Sequence, residues 1–255
     1  MMYLLLPDKN RETYEAVLSL TVQAAQRLNY EFKLETFLLD SELAMMSAIR
    51  SIFPTARIKG CLFHYNQALW RNCQRIGLKR HYTDIRVKKF IKGFMALPFV
   101  PLDEIQHALD IIRAEMPPRS SPAHELLQEF EAYFHRTWMN GNYPPMVWNS
   151  HMNFNLRTTN HVEGWHRLFN EKIKIAHPNL FALIKAIQQE EETNRIRMLE
   201  LDNGHRLQPM KKVYRDLNTR IIGLTQELSS GNGLLENFLE GMINTLYYVL
   251  SQTLI

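Results

Sequence analysis

Apolar and polar residues alternate in short blocks along the first 81 positions. Met1 to Leu6 is an unbroken apolar run closed by Pro7, the pattern of a buried strand. From about Glu12 to Asn29, the residues Tyr14, Val17, Leu18, Val22, Ala25 and Leu28 recur near helical spacing. Thr36-Phe37-Leu38-Leu39-Asp40 is a second apolar run, and it ends on a carboxylate. Leu43, Met46, Ile49, Ile52 and Phe53 then trace a helical face that stops at Pro54. Arg57-Ile58-Lys59-Gly60-Cys61 reads as a third strand, and Phe63, Gln67, Trp70 and Gln74 open another helix. Strand followed by helix, three times over, predicts an α/β layer with parallel pairing.

After about His81 the pattern becomes helical throughout. Residues 82 to 150 keep a helical period with breaks at Pro98, Pro101, Pro117-Pro118, Pro122 and Pro144-Pro145, and contain no alternating strand. The helical signal resumes from Thr158 to about Met198 and returns in Leu234 to Leu250, after a Ser-Ser-Gly-Asn-Gly turn at 229 to 233. No internal repeat is visible.

Composition narrows the class. The chain has 255 residues, 45% of them hydrophobic and 22% charged, which is enough apolar material to fold. Two cysteines, Cys61 and Cys73, exclude a disulfide-stapled secreted scaffold and favour a reducing compartment. No apolar run approaches the roughly 20 residues that span a bilayer, so no membrane partner is expected. Met1 to Leu6 also lacks the basic start and small-residue cleavage site of a secretory signal.

Charge changes the picture more than composition does. The net charge is only +4, yet between Arg71 and Lys92 lie eight basic residues (Arg71, Arg75, Lys79, Arg80, Arg86, Lys88, Lys89, Lys92) against Asp84 alone, a local +7. With Trp70, Tyr82 and Phe90 interleaved, such a stretch can contact phosphates and stack on bases. A solvated helix face explains the same run equally well.

Three groups of residues can carry chemistry. Asp40 ends a strand, where ligands gather in open α/β sheets, although a helix N-cap is the stronger reading on position alone. Cys61 and His64 sit three apart at a strand-to-helix junction, half of a zinc site that His161 and His166 would have to complete. A turn fixed by the Cys–His pair is the simpler account, and a Cys61 nucleophile with His64 as base lacks an orienting third group. In Thr158-Thr159-Asn160-His161-Val162-Glu163-Gly164-Trp165-His166, Asn160 suits an N-cap and Glu163 the glutamate of a capping box. Val162, Trp165, Phe169 and Ile173 would then form the buried stripe.

The ordered set of these motifs resembles the core of Mutator-like element (MULE) transposases. In that family an Asp is followed by a helix ending in Phe-Pro, then by a Gly-Cys-x-x-His segment leading into a Gln-x-x-Trp helix. Here the corresponding residues are Asp40, Phe53-Pro54, Gly60-Cys61 with His64, and Gln67 with Trp70. Leu5-Leu6-Pro7-Asp8-Lys9 and Glu12-Thr13-Tyr14 resemble the segment before that Asp, and Arg157 to Asn170 resembles the last acidic motif. The likeness runs over essentially the whole chain, and its specificity lies in the order of the pieces.

The resemblance implies an RNase H-like α/β fold, a mixed sheet lacking its first strands with an all-helical insertion. Residues 1–81 would be the first part of the core, 82–150 the insertion, 151–198 the final acidic helix region and 199–255 a helical C-terminal extension. It also implies DDE chemistry, in which three carboxylates hold two Mg²⁺ or Mn²⁺ ions for in-line attack on a phosphodiester. Asp40 matches the second acid and Glu163 the third, each as a catalytic metal ligand. Cys61 and His64 match a structural element beside the site. His64, Arg71, Arg75, Lys79, Arg80, Lys88 and Lys89 become DNA-contacting candidates, with double-stranded DNA (transposon ends or target) as partner, a nuclear setting, and room for a homo-oligomer.

One departure sets the expected activity. The family's first Asp lies on the opening strand in an Asp-Gly-Thr-Phe-like motif, and that motif is absent here. Asp8 follows an apolar run but aligns with a non-catalytic position. The expectation is therefore a transposase-derived chain, truncated at its N-terminus, with metal-dependent DNA cleavage and strand transfer as its ancestral activity and impaired catalysis now. Alternatives are an intact enzyme if the missing segment is restored, a domesticated non-catalytic DNA-binding or protein-interaction module, and, least favoured, a zinc hydrolase built on Cys61, His64, His161 and His166.

Overall fold

The computed structural model describes residues 4–31, 33–154, 157–173, 178–205, 212–231 and 233–253. The chain divides into two compact units, one of Met1–Leu5 with Thr159–Arg215 and a larger one of Leu6–Thr158 with Asp216–Ile255. Most residues are helical, and among the described residues the only sheet has two parallel strands. No described helix is long and apolar enough to cross a membrane.

In the larger unit the expected alternation is present. Helix α1 (Arg11–Arg27) starts at Asn10, whose side chain accepts the Thr13 N–H at 2.8 Å. Strand β1 (Thr36–Leu39), helix α2 (Leu43–Ile52), strand β2 (Arg57–Gly60) and helix α3 (Leu62–Arg75) follow. β1 and β2 pair in parallel from Thr36 opposite Arg57 to Leu39 opposite Gly60, and α1 packs on α2. The crossover through α2 is what allows adjacent strands to run the same way.

The described part of the first predicted strand, Leu4 to Leu6, is not in a sheet. Leu4 to Leu6 are irregular and exposed, Leu5 at 58%, and Met1 to Tyr3 lie outside the described residues. An apolar run becomes a strand only when a neighbouring backbone completes its ladder, and among the described residues β1 and β2 pair with each other alone.

Residues 82 to 150 are helical, as their period requires. They form α4 (Ile85–Ala96), α5 (Ile105–Ala114), α6 (His124–Phe134) and the short α7 (Pro145–Trp148). Pro98 and Pro101 fall at tight turns after α4, and Pro117-Pro118 separates α5 from α6. A π-helical turn, His135–Met139, extends α6. Helix α10 (Lys212–Ser229) has most of its length in this unit, and α11 (Leu235–Thr253) closes it.

The core of the larger unit lies among α3, α4, α5, α6 and α11. Phe94 is at its centre, with ring centroids 5.1 Å from Phe90, 5.2 Å from Phe130 and 4.8 Å from Phe134. Gly93 lets α5 come close: a Cβ there would sit 2.8 Å from a γ-carbon of Ile112. The smaller unit holds α8 (Asn160–Ile173) and α9 (Leu180–Asp202). They meet at Glu190, which accepts from Trp165 Nε1 at 3.0 Å and from Lys172 Nζ at 2.5 Å. The Lys172 bond, aided by Trp165, holds the Glu190 carboxyl below its usual range against the opposing effect of burial.

Candidate functional site

The parallel strands deliver two loops to one edge of the sheet. Asp40, Ser41 and Glu42 follow β1, and Cys61 to His64 follow β2 into α3. Beyond them one face of α3, at the i, i+3 and i+4 positions His64, Gln67, Ala68, Arg71, Asn72 and Arg75, forms the floor of a groove of about 690 Å³. Tyr133, Thr137, Trp138 and Tyr143 make a second, largely aromatic wall, and Lys9 also lines the groove.

Asp40 does not cap α2. The N-cap residue is Glu42, without a side-chain cap bond, because a tight turn (Glu42 N–H to the Asp40 carbonyl, 2.8 Å) places Asp40, Ser41 and Glu42 between strand and helix. The Asp40 carboxylate is exposed at the groove and makes no hydrogen bond or ion pair among the described residues.

The loop that carries Asp40 is held from both sides. The Tyr14 hydroxyl donates to the Glu42 carboxylate at 2.9 Å, and the Tyr143 hydroxyl donates to the Ser41 carbonyl at 2.7 Å. Burial first, then the bond to Glu42, pushes the Tyr14 hydroxyl pKa up to about 12. Tyr14→Phe removes one of the two ties and leaves a carboxylate short of a donor. The expected cost is about 1–2 kcal/mol in urea denaturation, and a change under a few tenths would show that this tie does not hold the loop.

The Cys61 backbone joins β1 to α3. It is the N-cap residue of α3, its N–H donates to the Leu39 carbonyl at 2.8 Å, and its side chain is fully buried. Cys61 and Cys73 are not disulfide-bonded, and burial pushes the Cys73 thiol up to about 12. Neither thiol is presented as a nucleophile.

The basic stretch separates into distinct surroundings. Arg71 and Arg75 share the groove with His64 and Asp40, and Arg75 also lies 3.3 Å from Glu129. Lys79 and Arg80 are exposed in the turn Leu78–His81, where Arg80 Nε donates to the Gly77 carbonyl at 3.1 Å. Lys88 lies over the Tyr82 ring at 5.2 Å, and Lys89 is 3.5 Å from Glu115 in a cleft also lined by Glu236 and Glu240. Lys92 is buried in α4. These four lysines and Arg80 do not line the groove.

Glu163 lies on α8 in the smaller unit and is half-buried. Its N–H donates to the Thr159 carbonyl at 3.1 Å, so the helix opens one residue before the predicted cap, and Asn160 is already helical. The side chains of Asn160 and His161 lie outside the described residues. Trp165 stacks on Phe169 at 5.0 Å, but Val162 is 42% exposed, so the predicted buried stripe is incomplete at its first member.

Among the described residues, no three of His, Cys, Asp and Glu are grouped where one metal ion would sit. Asp40 suits a divalent ligand because its carboxylate is not engaged elsewhere, but a single carboxylate does not make a site. Glu42, Asn72 and the Tyr133–Tyr143 wall were not singled out in the sequence, and Gln67 and Lys9 entered only as parts of family-like segments, not as site residues. The α3 members were readable from helical spacing after His64; the wall, some 60 to 80 residues further on, carries no local signal.

Residues 1–68 match the family model of the MULE transposase domain. The matched stretch contains Asp40, Cys61, His64 and Gln67, while Arg71, Arg75 and Glu163 lie beyond it. No curated protein and no solved structure matches the chain.

Proposed function

We propose that this is a transposase-derived protein whose groove at Asp40 takes the DNA backbone. The observation that carries this reading is Asp40 itself: an exposed carboxylate at the carboxyl end of a parallel strand, inside the matched segment, sharing one groove with Arg71 and Arg75. Ligands collect at that end of parallel sheets. Paired strands with a helical crossover agree with an RNase H-like core.

In this reading Asp40 and Glu163 are the second and third acids of the lineage. A bound Mg²⁺ or Mn²⁺ would polarise a phosphodiester oxygen and acidify the attacking water. The side chains around the groove do simpler things. Arg71 and Arg75 hold phosphates, the loop 40–42 stays fixed by its two tyrosines, and Cys61 caps α3. Lys79, Arg80, Lys88 and Lys89 would add backbone contacts outside the groove. Two of the three acids have counterparts among these 255 residues, so the chain by itself binds duplex DNA and cleaves it poorly.

Fluorescence anisotropy on a short duplex over a salt series tests the binding. Arg71→Ala with Arg75→Ala is expected to weaken affinity and to flatten the salt slope by roughly 1 per lost phosphate contact. Absence of DNA affinity at low salt overturns the reading. Efficient Mg²⁺-dependent nicking, abolished by Asp40→Asn and by Glu163→Gln, would overturn the impairment and show an active enzyme.

A further inference from the structure

The groove contains more than phosphate contacts require. Asn72, next to Arg71 on α3, is only 6% exposed, lines the groove, and its Oδ1 has no hydrogen-bond partner. That oxygen is itself enclosed, and a buried amide oxygen left without a donor costs free energy, which a turn of the side chain into the groove and a donor brought by a ligand would recover. Ala68, one turn earlier on the same face, is small enough to leave room above the floor, and Gln67 supplies a second carboxamide.

The second wall is largely aromatic. Tyr133 and Tyr143 are half-buried and line the groove together with Trp138, which contacts both. The Trp138 indole N–H donates to the Tyr133 hydroxyl at 3.4 Å, and its ring lies 5.1 Å from that of Tyr143 at 32°. The lining thus combines cations (Lys9, Arg71), aromatic rings and carboxamides, the groups that suit the phosphate, the base π-face and the base edge of a nucleotide. A base inside an intact duplex offers neither its face nor its pairing edge.

We propose that the groove takes a base unstacked from DNA, laid against Tyr133 or Tyr143 with its pairing edge on Asn72. The preferred substrate is then locally opened DNA, not fully paired duplex. This rests on the reading of the groove as a DNA site and adds the state of the DNA that it accepts.

The test compares two duplexes of equal length, one fully paired and one carrying a single unpaired adenine, by anisotropy with the full chain at fixed low salt. The expected result is about tenfold tighter binding of the duplex with the unpaired base, the size that one stacked base contributes. Asn72→Leu and Tyr133→Leu each reduce that preference toward unity, Tyr133→Phe retains it, and Arg71→Ala weakens both duplexes alike. Asn72→Leu replaces the orphan amide with an apolar group of similar size, so its thermal midpoint should hold or rise, which separates lost recognition from lost folding. Equal affinity for the two duplexes overturns the base subsite while the groove reading stands. Failure to bind either at low salt overturns both.

Discussion

Replacing Trp148 by alanine lowers the stability of the larger unit by about 3–5 kcal/mol, the usual cost of deleting a large buried aromatic. Trp148 is 1% exposed, stacked on Tyr65 at 5.4 Å and within 6.0 Å of Phe134. Its indole N–H also donates to two backbone carbonyls, Trp138 at 2.8 Å and Tyr143 at 3.1 Å. Those two residues belong to the groove wall. The substitution therefore opens a cavity in the core and releases the wall together, and DNA affinity should fall with stability.

Trp148→Phe separates the two effects. Phenylalanine keeps much of the ring contact but offers no donor, leaving two carbonyls short of a bond, at a cost of about 1–3 kcal/mol. Urea denaturation followed by far-UV circular dichroism measures both variants. A loss below about 1 kcal/mol for the alanine variant would show that Trp148 does not support this part of the core.

The second large effect is a rise in stability with pH that originates at Lys92. This ammonium is 2% exposed, and burial, with a smaller contribution from Lys88 one turn earlier, holds its pKa down at about 8. In the unfolded chain the same group titrates near 10.4. Between those values the unfolded state binds more protons than the folded one, so stability rises as pH goes from about 8 to about 10. Below about 8 both states carry the proton and the burial penalty is present in full.

At about 1.4 kcal/mol per pKa unit the change amounts to at most roughly 3 kcal/mol. Lys92→Met removes the charge at similar volume. The variant should be more stable than the parent at pH 7 by about 1–3 kcal/mol, with the difference shrinking to near zero by about pH 10. Taking that difference also cancels Cys73 and the buried tyrosines. Cys73, Tyr14 and Tyr65 have pKa values raised by burial, so their stability contribution is lost as pH climbs past their unfolded values, for Cys73 within the same window. A parent and a variant with parallel pH profiles would show that Lys92 is not desolvated.

Much of the fold was legible because it is local. The alternation β1, α2, β2, α3 follows from apolar runs separated by Pro54 and a helical period, and both strands fall within a residue of their predicted limits. The helices between 82 and 150 break where proline removes a donor and fixes φ. The position of Asp40 at a strand end was also legible, as was the α3 face beginning at His64. Its role was not: a two-residue difference in where α2 starts decides between a cap and an open carboxylate, and helix boundaries depend on turn geometry that composition does not specify.

The sequence by itself determined the order and type of the elements in the larger unit and the end of the strand that presents Asp40, because periodicity and proline act within a few residues. Only the tertiary structure decided which basic residues share a groove with it. Arg71 and Arg75 face the groove because they lie on the exposed stripe of α3, Lys89 faces glutamates of α5 and α11, and Lys92 is enclosed by the core. Charge that looks continuous along the chain is divided by which helix face finds a neighbour, and that is set by packing between residues far apart in sequence.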